Sequence, residues 1–66
     1  MKTKADVIKA IDDPRITELV RGEGYHYFIF DDGKDYATHS VYTMCFSHMP
    51  FDRWVEEGQD FLAEMS

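Results

Sequence analysis

Short apolar runs and polar punctuation alternate along this chain in a way that predicts a helix, three strands and a second helix. Thr3 followed by Asp6 has the form of a capping box, and Val7, Ile8 and Ile11 then recur at helical spacing, so residues 3–12 read as a short helix. Pro14 ends it by disfavouring the α conformation at Asp13. The next segment, PRITELVRG, supports two readings. As a helix it has Asp13 as N-cap, Pro14 at the first position, Gly22 just past the end, and Ile16, Leu19 and Val20 on one side. As a strand it sets Ile16, Thr17, Leu19 and Val20 on a pleat, with the glycines of RGEG turning into the next strand. Local signals slightly favour the helix.

Tyr25 to Asp31 reads as a strand, because Tyr, Phe and Ile fill it and acids with a glycine end it. Tyr25, Tyr27 and Ile29 point one way and His26, Phe28 and Phe30 the other, apolar on both faces as in a central strand covered on both sides. Asp32-Gly33 is the preferred pair for a two-residue type I′ turn, and residues 35–46 return as the partner strand. That turn would set His26 opposite His39, Phe28 opposite Ala37, Tyr25 opposite Ser40, Tyr27 opposite Thr38 and Ile29 opposite Tyr36. The last segment opens on Pro50 and carries Phe51, Trp54, Val55, Phe61, Leu62 and Met65 on one helical face. Gly58 falls on that face at a cost of about 1 kcal/mol relative to alanine, which implies a close approach to the sheet.

Size and charge narrow the function classes. A chain of 66 residues forms one domain. A domain of this size buries roughly 60% of its unfolded surface and draws roughly 3 to 5 kcal/mol from its core. Cys45 is the single cysteine, so no internal disulfide adds to that. With no secretory signal pattern and no apolar run long enough to span a bilayer, a cytoplasmic location is expected. Thirteen acids against seven scattered bases give a formal charge of −6, which argues against direct binding to nucleic acid or to a membrane surface.

Candidate chemistry is sparse. Two cross-strand histidines, His26 and His39, would have Cβ atoms about 5 Å apart, close enough to chelate together. Cys45, the nearest further ligand type, lies six residues beyond His39, roughly 20 Å along an extended strand, so no metal or other cofactor is expected. Cys45 between Met44 and Phe46 reads as an inert buried thiol in a strand, and GEG lacks the remainder of any phosphate-binding loop. No catalytic constellation is visible, and the chain reads as a non-enzyme. Two surfaces carry a surplus. Asp52, Glu56, Asp60 and Glu64 repeat at intervals of four on the last helix with Glu57 beside them, a repulsive ladder that could mimic a nucleic-acid backbone or simply keep a small protein soluble. The other is aromatic. Two short helices can cover only one sheet face, which leaves Tyr25, Tyr27, Ile29, Tyr36, Thr38 and Ser40 as a mixed aromatic and hydroxyl surface suited to a protein partner or to homodimerisation.

The strings LVRGEGYHYFIFDDG, THSVYT and FDRWVEEGQDF resemble a group of small proteins carried by bacteria, their phages, prophages and other mobile elements. The resemblance runs from Glu18 to Phe61, and implies a mobile-element origin without any assigned activity or catalytic residue. In that group a strand precedes the G-x-G-Y-x-Y-F run, which decides residues 15–21 in favour of strand. One departure is the stretch CFSHMPF, where such sequences place a leucine-rich connection. The expected fold is therefore α+β, in the order α-β-β-β-α, a three-stranded antiparallel sheet with two helices packed on one face. The expected function is a protein-binding accessory factor; the alternative is an acidic inhibitor that mimics nucleic acid and occupies the basic site of a host protein.

Overall fold

A computed structural model describes residues 2–65 and has the expected order: helix α1 (Lys4–Ile11), strands β1 (Ile16–Arg21), β2 (His26–Asp31) and β3 (Tyr36–Val41), and helix α2 (Phe51–Met65). The sheet is antiparallel with β2 in the centre. At the start of α1 the Thr3 hydroxyl accepts from the Asp6 N–H while the Asp6 carboxylate accepts from the Thr3 N–H at 2.8 Å, so the capping box forms as read. The helix ends on Asp12, which takes a left-handed conformation with φ 56°. Asp13 caps no second helix. Its carboxylate instead accepts from the Arg15 N–H and grips the Arg15 guanidinium at 2.7 and 3.0 Å, turning the chain about Pro14 directly into β1.

A β-bulge explains why β1 looked helical. Ile16 pairs with Phe30 and Glu18 with Ile29, so Thr17 is the extra residue and the side-chain alternation shifts by one. Ile16 and Leu19, three apart, consequently share the buried face. An i, i+3 spacing that would mark a helix is here produced by a bulged strand.

The β2–β3 turn departs from the expected register. The Asp32 N–H bonds the Asp35 carbonyl, so the two-residue loop is Gly33-Lys34, with Gly33 at φ +86°. The Asp32 side chain decides this by accepting from the N–H groups of Lys34 and Asp35 at 2.9 and 2.7 Å, which locks it outside the loop. Pairing therefore moves by two residues: Phe28 faces His39, Tyr27 faces Ser40, Ile29 faces Thr38, and Val41 takes the place opposite His26. A shift of two preserves which residues share a face. The strand is also shorter than expected. It stops at Val41, and residues 46–48 form a 3-10 turn in place of strand, because β2 begins at His26 and offers no partner to Thr43.

Both helices pack on the face formed by His26, Phe28 and Phe30. Trp54 and Phe28 are fully buried at its centre, and Phe61 meets Phe30 edge-on at 6.1 Å. A Cβ on Gly58 would collide with the Ile11 side chain and stand 3.3 Å from the Phe28 ring, so this glycine admits α1 as well as the sheet. The irregular residues 42–49 are pinned from the core: the Trp54 indole donates to the Phe46 carbonyl at 2.9 Å, and His26 Nδ1 donates to the Thr43 carbonyl at 2.8 Å. No helix among the described residues is long and apolar enough to cross a membrane.

Candidate protein-binding face

The side of the sheet away from the helices brings the six sequence-derived residues together. Tyr25, Tyr27 and Ile29 lie half-buried along β2 and the turn before it, and Tyr36, Thr38 and Ser40 lie exposed along β3. Alternation of β2 forces this division, since His26, Phe28 and Phe30 are drawn into the core and their neighbours must face outward. The Tyr25 and Tyr27 rings sit 5.9 Å apart, and Tyr25 also lies 6.4 Å from Tyr42. Tyr42 extends the face beyond the end of β3 and is 87% exposed, against 66% for Tyr36. Tyr42 is absent from the six residues expected from the sequence, although the alternation of Tyr36, Thr38 and Ser40 in the expected strand carries on to it and places it on the same face. Val20 and Glu18 of β1 complete the surface opposite Tyr27 and Ile29.

The acidic set on α2 is divided. Asp52, Glu56, Asp60 and Glu64 are exposed as expected. Glu57 is turned inward, where it accepts from Arg53 at 2.6 Å and lies 3.3 Å from His39 Nε2. Arg53 also bonds Glu56 at 3.0 Å, so one cation bridges two of the five acids. His39 stacks on Phe61 at 5.2 Å, and His26 is buried against Trp54 at 5.0 Å, so each histidine is held by an aromatic ring on the helix side of the sheet. Among the described residues no group of three or more His, Cys, Asp or Glu side chains is placed to hold a metal. Cys45, expected in a strand and buried, instead precedes the 3-10 turn and is half-buried, because the ladder ends four residues earlier.

Comparison with protein-family models, with curated proteins and with solved structures finds no match for this chain.

Proposed function

We propose that this protein is a non-enzymatic, protein-binding accessory factor of phage or prophage origin that acts in the cytoplasm, and that its open sheet face seats a second copy of the chain. The observation that carries this reading is the run of tyrosines on the uncovered face, with Tyr36 and Tyr42 mostly exposed beside half-buried Tyr25, Tyr27 and Ile29. Aromatic rings with polar tips, interleaved with Thr38 and Ser40, supply apolar contact area and hydrogen bonding at low entropic cost, the composition that interface centres favour. A domain of this size also gains stability by covering such a face. The phage or prophage origin rests on the sequence resemblance alone. The alternative, mimicry of nucleic acid by α2, draws support from exposed Asp52, Asp60 and Glu64, and is weakened by the engagement of Glu56 and Glu57 with Arg53.

Sedimentation equilibrium across a concentration series tests the proposal. The wild-type chain is expected to dimerise, with little change between low and moderate salt, whereas Tyr27→Ser/Tyr36→Ser stays monomeric with an unchanged circular dichroism spectrum. A wild-type chain monomeric at high concentration, or a double variant that still dimerises, would overturn the reading. Self-association that weakens steeply with salt would show a charged contact in place of an aromatic one and would likewise overturn the reading.

A further inference from the structure

The outer edge of β1 carries a second surface, which adjoins the tyrosine face at Glu18 and Val20 but is built on the edge backbone of Leu19 and Arg21 and on α1. Antiparallel pairing fixes which backbone groups of this strand are used. The Gly22 N–H donates to the Tyr25 carbonyl at 2.8 Å, so, stepping back by two, Val20 directs its N–H and C=O toward β2. Leu19 and Arg21 therefore turn theirs outward, away from the sheet. Beside this unpaired edge runs a solvent-open groove of about 500 Å³, walled on one side by Lys4, Ala5 and Ile8 of α1 and floored by residues 17–21 of β1. The α1 wall is apolar at Ala5 and Ile8, while Val20 turns toward the tyrosine face.

Charge is distributed unevenly along the groove. The connection between Ile11 and Ile16 is short, so α1 and β1 run antiparallel as neighbours. Seven residues of helix cover about 10 Å, which returns Lys4 toward the Val20–Arg21 end of the strand. Neither Lys4 nor Arg21 forms an ion pair among the described residues, although the chain carries a net charge of −6. Glu18 stands three residues before Arg21, about 10 Å away in an extended strand. An open strand edge with a helix alongside it is the geometry that captures an extended peptide as an added strand, with backbone bonds giving affinity and flanking side chains giving selectivity.

We propose that this groove binds an extended peptide segment of a partner protein by antiparallel strand addition to β1. The segment has an acidic residue at its N-terminal end beside Lys4 and Arg21, a basic residue three positions on, opposite Glu18, and apolar residues at the alternate positions that face α1. Its backbone bonds the N–H and C=O groups of Leu19 and Arg21, and its inward side chains rest on Ala5 and Ile8.

The test uses two blocked peptides of the same composition, acetyl-Glu-Thr-Val-Lys-Val-Thr-amide and its charge-swapped counterpart acetyl-Lys-Thr-Val-Glu-Val-Thr-amide, titrated to millimolar concentration into the labelled full chain and followed by amide NMR. The first peptide is expected to shift the amides of Ala5, Ile8, Leu19 and Arg21 and to slow hydrogen exchange at Leu19 and Arg21. The swapped peptide is expected to bind about five-fold more weakly, the scale set by two exposed ion pairs. Lys4→Gln/Arg21→Gln should reduce that preference to the part that Glu18 contributes while retaining the native spectrum; should it lose the native spectrum, the peptide comparison on the wild-type chain still decides. Equal binding of the two peptides, shifts confined to the tyrosine face, or no shift at millimolar peptide would overturn the proposal. Because binding is read at β1, a monomeric chain would leave this result intact.

Discussion

At the residue scale, Gly58 sets how closely α1, α2 and the sheet approach. Alanine at this position would gain about 1 kcal/mol of helix propensity, yet its methyl would press on the Ile11 side chain and the Phe28 ring, and overpacking of this kind costs roughly 1 to 3 kcal/mol. Ile11 is 7% exposed and Phe28 fully buried, so neither has space into which to retreat. Gly58→Ala is therefore expected to lower the unfolding midpoint in urea. Ile11→Val deletes the terminal methyl that collides, and the double variant Ile11→Val/Gly58→Ala should be more stable than the sum of the single effects predicts. Strict additivity would show that α2 shifts as a body and that Ile11 does not set the spacing. Asp12 is a simpler case. A left-handed, non-glycine residue at the end of a helix is tolerated at a cost, and its negative charge lies at the negative end of the helix dipole. Asp12→Asn keeps the local hydrogen-bonding side chain, removes the charge and should raise stability by roughly 0.5 kcal/mol in thermal denaturation.

At the scale of elements, what could be read from the sequence depended on whether local pattern and tertiary pairing agreed. They agreed for α1, whose Thr3 and Asp6 satisfy each other within one turn, and for α2, whose apolar stripe from Phe51 to Leu62 packs on the core as its periodicity requires, while Met65, read onto the same face, is exposed. They agreed again at β2, whose alternation divided the tyrosine face from the core without any knowledge of partners. They diverged at β1, where the bulge at Thr17 gave a strand the spacing of a helix; pairing with Phe30 and Ile29 decides that, and no local signal reports it. The register of β3 was missed for a different reason. Asp-Gly is a favoured turn pair, but the Asp32 carboxylate is committed to the N–H groups of Lys34 and Asp35, which moves the loop by one residue and the pairing by two. Asp32→Ala removes those bonds, and a loss of roughly 1 kcal/mol is expected in chemical denaturation, with the turn amides of Lys34 and Asp35 exchanging faster. The groove along β1 was invisible in the sequence because it arises from α1 returning beside a strand whose own assignment was ambiguous.

For the molecule as a whole, acid response follows from how its turns are built. Three carboxylates hold their charge below the ordinary carboxylate range. Asp13 is lowered to about 2, first by its hydrogen bonds from the Arg15 side chain and then by that from the Arg15 N–H. Asp6 is lowered by the Thr3 N–H and then the Thr3 hydroxyl, and Asp32 by the N–H groups of Asp35 and Lys34. In the unfolded chain each returns to about 3.9, so each contributes stability that is complete above that value and is lost as pH falls toward the folded one. Lowering the pH from about 4 to about 2 should therefore reduce the unfolding temperature progressively. These three groups close the start of α1, the α1–β1 turn and the β2–β3 turn, so acid loosens connections while leaving the apolar contacts of Trp54, Phe28 and Phe61 unchanged. Asp13→Asn isolates the strongest of them. It should destabilise the protein at neutral pH, and the gap to wild type should close as pH falls to about 2, where the wild-type carboxyl is itself becoming protonated. A gap that stays constant from neutral pH down to that point would mean that Asp13 acts through the shape of the turn about Pro14 and not through its charge. Since the core remains apolar throughout this range, any dimer built on the tyrosine face should outlast the acid loosening of the turns, so long as the sheet itself stays folded.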